Sequence, residues 1–517
     1  MTMHVSKPLV MLSILAVVGT VAVVIALKQH AGTFTESWQN GKRIIHVGPQ
    51  DSVQSALDSA QYGDTIVVQA GETFTGNFVL PMKSGTGEIV IQSSSLDKLP
   101  EGVRVKPSQS KAKLFPILQT PNSEPVIATA PGAHHYRFQG IEFSTDSSNK
   151  MVYDLIRFGG GRKEQKTLDS VPHDLEIDRC YIHGFDTQDV QRGVALNSAA
   201  TTVKNSYISN IHGVGYDTQA IAGWNGPGPF EIINNHLEAA GENIMFGGAD
   251  PGIKGLVPAG IKIRENYLFK PLSWKVGHPS YAGKHWTVKN LLELKNAKDV
   301  VIDGNYFENC WTDGQTGIAI LFTVRNQEGT APWSILQNIA FKNNIVIGAE
   351  GALNFLGSDN ERPSQRSSVA DISNNLFFDM RGPFLTMNGF ENVSITHNTH
   401  FQTGNITILY GAPLQEQFVY RDNLTMRDSK GYGVFGDATG EGTVALRKFA
   451  PKFEFTNNVL IGADASLYPK VNQFPASIDR VGFVSFKGTN YCLGPGSAYK
   501  NVGADCSKLN FSAKTPE

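Results

Sequence analysis

A short frame, apolar-x-apolar-x-x-Asn-x-apolar, recurs along most of this 517-residue chain and limits what it can fold into. It is carried by FEIINNHL (Asn235), IKIRENYL (Asn266), VVIDGNYF (Asn305), IAFKNNIV (Asn344), ADISNNLF (Asn375), VSITHNTH (Asn398), FVYRDNLT (Asn423) and FEFTNNVL (Asn458). Three earlier segments keep the frame and replace the Asn: YRFQGIEF with Ile141, LEIDRCYI with Cys180 and TTVKNSYI with Ser206. Successive units are 23 to 39 residues apart, so each holds a constant rung and a loop that can grow. Alternation of period two reads as strand, and Asn after two non-apolar residues marks a tight turn in which it can bond backbone and tolerate a left-handed conformation. Repetition at this period is the mark of a solenoid. A sandwich of hairpins would need Asn-Gly turns at regular intervals of roughly 8 to 12 residues, and neither is present. The expectation is an all-β parallel solenoid of about eleven or more rungs, stacked at ~4.8 Å with the Asn side chains in a ladder.

The ends of this cylinder are also legible. In DSVQSALDSA, Asp51 reads as an N-cap, with Gln54 three residues later and Val53, Ala56, Leu57 and Ala60 on one face. A short helix there can cover the open end of the core. The following stretch, VQSALDSAQYGDTIVVQAGETF, resembles the opening of right-handed parallel β-helix proteins of the pectin-lyase-like superfamily, and the Asn-bearing rungs extend that resemblance over roughly residues 44–462. Residues 463–517 lack the frame and resemble the closing segment of secreted β-helix proteins, so they are assigned to a C-terminal cap. The expected organisation is therefore residues 1–32 as a membrane or signal segment, 33–462 as the β-helix and 463–517 as the cap.

Residues Leu9 to Leu27 contain no charge and no proline, long enough to cross a bilayer as a helix. They serve either as an uncleaved anchor or as a signal peptide, and either use places the body outside the cytoplasm. Cys492 and Cys506, fourteen apart, either close a disulfide in an oxidising compartment or stay as free thiols. Only 18% of residues are charged and 52 are glycine, which excludes a coiled coil or charged helical array. A formal charge of −2 leaves no broad basic surface, and nucleic acid is not an expected partner.

Proteins of this fold differ by site, so the reaction must be sought in clusters. Five of six tryptophans, Trp224, Trp274, Trp286, Trp311 and Trp333, fall in one stretch with the longest inter-rung loops. Aromatic faces suit sugar rings. The loop WKVGHPSYAGKHW adds Lys275, His278, Tyr281, Lys284 and His285, a set suited to an acidic ligand. Trp224, Trp274, Lys275, His285, Trp286, Trp311 and Gln315 are thus candidate substrate-binding residues. In NNHLEAAGENIMFGGADP, Glu238, Glu242 and Asp250 can hold calcium through oxygen ligands. Paired carboxylates can also run a glycoside hydrolase, at about 5 Å for retention or roughly 6.5–9.5 Å for inversion.

The third cluster is NLLELKNAKDVVI. With Leu292 and Leu294 inward, Glu293 and Lys295 project outward one rung before GIAILFTVRNQ and its Arg325. This pair of strands resembles the lysine-bearing strand of β-helical polysaccharide lyases of the alginate lyase and chondroitinase B type, where a lysine is the base and an arginine helps from the neighbouring rung. The frame aligns Lys295 with Thr323, two positions before Arg325. Removing a proton α to a uronate carboxylate needs a base and a positive charge to neutralise that carboxylate. On this reading Lys295 is the base, Arg325 or Lys275 the neutraliser, and Tyr281 or His278 the donor to the leaving oxygen. The rival readings are a non-catalytic carbohydrate-binding or envelope-surface protein, and a purely structural or adhesion solenoid.

Overall fold

A computed structural model describes residues 34–146, 151–428 and 430–514. The Leu9–Leu27 segment lies outside the described residues, and among those described no helix is long and apolar enough to cross a membrane.

The chain winds through three long sheets of 15, 13 and 12 strands, each strand pairing with the one a full turn away. Apart from the opening hairpin of Thr35–Gln39 with Lys42–Val47, all pairing within these sheets is parallel. This is a parallel β-helix. The repeated frame is the end of a first-sheet strand, a turn and the start of a second-sheet strand, as in Phe230–Ile233 followed by His236–Ala239. Because side chains alternate across each strand, one inward row runs the length of the first sheet: Ile66, Ile91, Phe138, Ile177, Val203, Ile232, Ile263, Ile302, Phe341, Ile372, Ile395, Tyr420 and Phe455. All are buried in one core.

The asparagines form the ladder. Asn344 shows the unit: its Oδ1 accepts from Asn305 N–H at 2.9 Å and Asn305 Nδ2 at 3.0 Å, and its Nδ2 donates to Ile302 O at 3.0 Å. The chain of such bonds runs from Ser206 through Asn235, Asn266, Asn305, Asn344, Asn375, Asn398, Asn423 and Asn458 to Asn472. Asn472, only 14 residues after Asn458, lies outside the repeated frame and extends the ladder past its last unit. The left-handed residue is not the ladder Asn but the one before it, with φ between 52° and 67° at Gly140, Arg179, Asn205, Asn234, Glu265, Gly304, Asn343, Asn374, His397, Asp422 and Asn457. That residue turns the corner, and the Asn behind it satisfies the backbone groups the corner leaves buried.

The helix over Val53–Ser59 buries Val53, Ala56 and Leu57 on the open end of the core. Its N-cap is Ser52, whose hydroxyl accepts from Ser55 N–H at 3.1 Å; Asp51 instead accepts from Gly48 N–H. Another helix, Thr443–Phe449, packs Ala445, Leu446 and Phe449 at the far end of the third sheet. Residues 463–514 have two parts. Leu467, Tyr468 and Phe474 pack on the end of the core. The chain then runs back along the outside of the second sheet, with Val481 against Phe401 and Val459, and Leu509 and Ala513 against Tyr267, Tyr306, Ile345 and Leu376. A Cys492–Cys506 disulfide lies within this strap.

Asn344→Ala removes the partner of two N–H groups on Asn305 and of Ile302 O, all buried. At about 1–3 kcal/mol per orphaned buried group, partly relieved by relaxation, urea denaturation should show a loss of about 3 kcal/mol. A loss near zero would mean that the ladder does not hold the turn.

Candidate active site on the third sheet

The connections between the third and first sheets decide where a cavity opens. Residues 247–258, 324–335 and 357–367 are long loops, whereas only Lys295 and Asn296 join Leu292–Leu294 to Ala297–Asp303. The short connection leaves a gap beside the taller loops that follow. The result is a cavity of about 400 Å³ with Glu293, Lys295, Leu321, Thr323 and Asn354 on the sheet side, Gln315 and Thr316 along one flank, and Arg325, Asp359, Glu361 and Arg362 along the other.

Lys295 is fixed by its backbone, donating N–H to Phe246 O at 2.8 Å and accepting from Arg325 N–H at 2.9 Å. A Cβ at Gly247 would sit 2.8 Å from both Asn296 N and Lys295 Cβ, so the close approach of these rungs needs glycine there. Strand register pairs Glu293 with Leu321, yet Lys295 O bonds Arg325 N–H; the residue gained is taken up where Val324 turns into the core. This slip brings Arg325 beside Lys295 in the cavity wall. Lys295 Nζ lies 3.5 Å from Glu293 Oε1, and Glu293 also accepts from Thr323 Oγ1 at 3.3 Å and Asn290 Nδ2 at 3.2 Å. Arg325 Nη1 contacts Asp359 Oδ1 at 3.0 Å and Asn360 Oδ1. Burial raises the Asp359 carboxyl, but donation from Glu361 N–H, Asn326 N–H and Arg325 outweighs it, and the group is held below the ordinary range.

Glu242 stands one rung before Glu293, fully buried. Gln219 Nε2 donates to its Oε2 at 2.8 Å, and Lys289 Nζ, which also pairs with Asp217, is 3.8 Å from its Oε1. Burial, reinforced by Asp217 and Glu293, pushes its carboxyl up to about 7 against the pull of Lys289 and Lys295. Buried oxygens of Gln219, Glu242 and Asn290 lack hydrogen-bond partners.

One outward row crosses this site, from Arg157 through Ala195, Ala222, Met245, Glu293, Leu321, Asn354, Thr386 and Ile408 to Phe435. It passes through a hollow lined by Tyr153, Arg157, Arg192 and Trp224, then the Lys295 cavity, then a hollow lined by Tyr410, Tyr432 and Phe435.

Among solved structures the chain is similar to a mannuronic acid specific polysaccharide family 6 lyase from human gut microbiota, at 12% identity over 85% of this chain and 93% of that one, with a TM-score of 0.50. The shared fold is the parallel β-helix. A family 6 polysaccharide lyase from Pseudopedobacter saltans aligns at 10% identity over 89% of this chain and 98% of that one (TM-score 0.41), and pectate lyase Pel9A at 11% over 91% and 88% (TM-score 0.35). At these identities the likeness is one of fold. No family model and no curated protein matches the chain.

This β-helix protein brings together only part of the residue set read from its sequence. Glu293, Lys295, Arg325 and Gln315 line one cavity. Trp224 lies along the same face, under the Arg192 guanidinium at 4.9 Å. Trp274, Trp286 and Trp311 are instead buried against one another, with His212 stacked on Trp286, so their faces are spent on packing. Lys275 sits 5.8 Å over Trp311, His278 bonds Ser280, and His285 pairs with Asp313 at 2.5 Å; neither these residues nor Tyr281 line the Lys295 cavity. The loop is long because it wraps the corner between the second and third sheets, and its aromatics anchor it there. Glu238, Glu242 and Asp250 also diverge. Glu238 accepts from Asn210 N–H on the second sheet, Glu242 faces Lys289, and Asp250 accepts from Thr330, so the three do not form a calcium site.

Lys289, Asn290 and Lys270 escape the sequence reading. Lys270 is fully buried, its Nζ donating to Ala239 O, Ala240 O, Gly241 O and Asn243 Oδ1, with burial lowering its pKa to about 8. A lysine before a proline in a loop carries no mark of that role.

Glu242 gives a pH signature. Its folded pKa of about 7 exceeds the ordinary 4.5, so between these values the unfolded chain has released a proton that the folded chain keeps, and stability falls as pH rises through that window. Glu242→Gln should flatten the decline in denaturation midpoint across it; an unchanged slope would refute the assignment.

Proposed function

We propose that the protein acts on an acidic polysaccharide laid along the outer face of the third sheet, cleaving it by β-elimination at Lys295. The observation that carries this reading is the Arg325 N–H to Lys295 O bond, which sets a lysine and an arginine side by side in an open cavity. The contacts of Arg325 with Asp359 and Asn360 both run through Nη1, leaving the rest of its fork for a substrate carboxylate. With that carboxylate neutralised, Lys295 Nζ takes the C5 proton, the C4–O bond breaks, a C4–C5 double bond forms, and solvent in the open cavity protonates the leaving oxygen. The outward row is consistent with a polymer: at ~4.8 Å per rung, Glu293 is about 19 Å from Arg157 and about 24 Å from Phe435.

The donors chemistry would offer a hard cation are the unpartnered oxygens of Gln219, Glu242 and Asn290. Lys289 already places positive charge against Glu242 and Asp217, and no step is routed through a metal. The Leu9–Leu27 segment and the disulfide fit a body working outside the cytoplasm, tethered or released. A second reading, glycan binding without turnover, is favoured by the internal pairing of Lys295 with Glu293 and Arg325 with Asp359.

Incubation with a panel of uronic-acid polysaccharides should raise the ultraviolet absorbance of the new double bond, and Lys295→Ala should abolish the rise. Arg325→Ala should lower kcat/KM by about 100-fold or more, on the order of 3 kcal/mol of transition-state stabilisation. Chelation by EGTA should leave the rate within about twofold, because Lys289 supplies the local charge. Binding without any new double bond or reducing end would select the second reading.

A further inference from the structure

A cluster far from the Lys295 cavity has the chemistry of a transition-metal site. It lies on the outside of the first sheet, where His134–Gln139 pairs with His173–Asp178. His134 stands opposite His173, and the pairing on either side sets His135 opposite Asp174. His135 and Asp174 are both left-handed, at φ 58° and 54°, as are Ala200, Asp299 and Asn338 at the same corner of later rungs, so the corner is common to the sheet and only its His and Asp side chains are special to this place. His173 Nδ1 is 2.6 Å from Asp174 Oδ2, and His135 Nδ1 is 3.9 Å from the same oxygen. One ligand atom from each of the three side chains falls within 4.8 Å of the others, the only such group among the described residues. Around tetrahedral zinc, bonds of about 2.0–2.2 Å place ligand atoms roughly 3.3 Å apart, so one of these separations opens and the other closes by well under 1 Å.

The second layer is also present. His134 stacks on His173, ring centroids 4.7 Å apart and 6° from parallel, and its Nδ1 is 2.8 Å from His135 Nδ1. The Tyr62 hydroxyl in turn bonds His134 at 2.9 Å. His134 therefore packs against both rings, and because it meets His135 at Nδ1, zinc either replaces that contact or takes His135 through Nε2. The next rung carries Ala199 and Ala200 at the aligned positions, so the cluster belongs to two rungs and is not a repeat feature of the sheet.

We propose that His135, His173 and Asp174 bind one divalent zinc ion, with water in the fourth position, cross-linking two rungs near the N-terminal end of the cylinder. Two imidazoles and a carboxylate suit zinc in preference to calcium or magnesium. Bound to the folded chain alone, the ion stabilises it by mass action.

The test is titration calorimetry of tag-free full-length protein with Zn²⁺ alone in a non-chelating buffer, with thermal unfolding as a second readout. One zinc per chain and a higher Tm are expected, and His173→Gln and Asp174→Asn should each weaken binding at least about tenfold while the metal-free Tm stays near that of the parent. His397→Gln removes a different His–Asp pair, His397 with Asp422 at 3.4 Å, and should leave binding unchanged. No binding, or binding that both ligand variants retain, would overturn the assignment.

Discussion

The structure depends on how a parallel coil satisfies the backbone at its tightest corner. Each rung turns from the first sheet into the second through a left-handed residue, and the corner faces the dry core. An asparagine there bonds the asparagine side chain, the amide and a strand carbonyl of the preceding coil, so each rung fixes the one before it. A slip of one residue would carry the inward row to the outside. Register at the corner is therefore also register on the third sheet, whose outward row leads to Lys295.

Within that fixed frame, function comes from unequal loops. Rungs cannot change length without breaking the ladder, but the connections leaving the third sheet can. A connection of two residues at Lys295 beside much longer loops on the following rungs makes a recess that no single strand encodes. Burial at its margin is costly, and the chain meets that cost with pairs such as Lys295 with Glu293 and Lys289 with Glu242. Glu242 shows the incomplete case: its burial and two nearby carboxylates outweigh both lysines.

The β-helix was readable because its constraint is local and repeats: the Asn frame and the alternation beside it occur in one stretch of chain per rung. Lys295 and Glu293 were readable for the same reason, since strand parity puts them outside. The slip that admits Arg325 was not, because it depends on Val324 choosing the core over the frame. The Trp274–Trp286 loop misled because aromatics beside histidines and lysines look alike whether they receive a sugar or pack against a wall, and contact with His212 from two rungs earlier decides between them. The cap on the first helix moved by one residue because Asp51 and Ser52 are both good caps and only the turn at Gly48 separates them. Lys270 and Asn472 belong to corners whose partners lie outside any local window.

The central claim is that the recess beside Lys295 recognises the charge of a uronic-acid chain. The most direct measurement is calorimetric binding of a uronic-acid oligosaccharide and of its neutral methyl ester to the Lys295→Ala protein, in which the account expects binding without turnover. The acid should bind at least about tenfold tighter than the ester, ~1.4 kcal/mol, and a further Arg325→Gln change should erase that difference. Equal affinity for acid and ester, with Arg325 intact, would contradict the account.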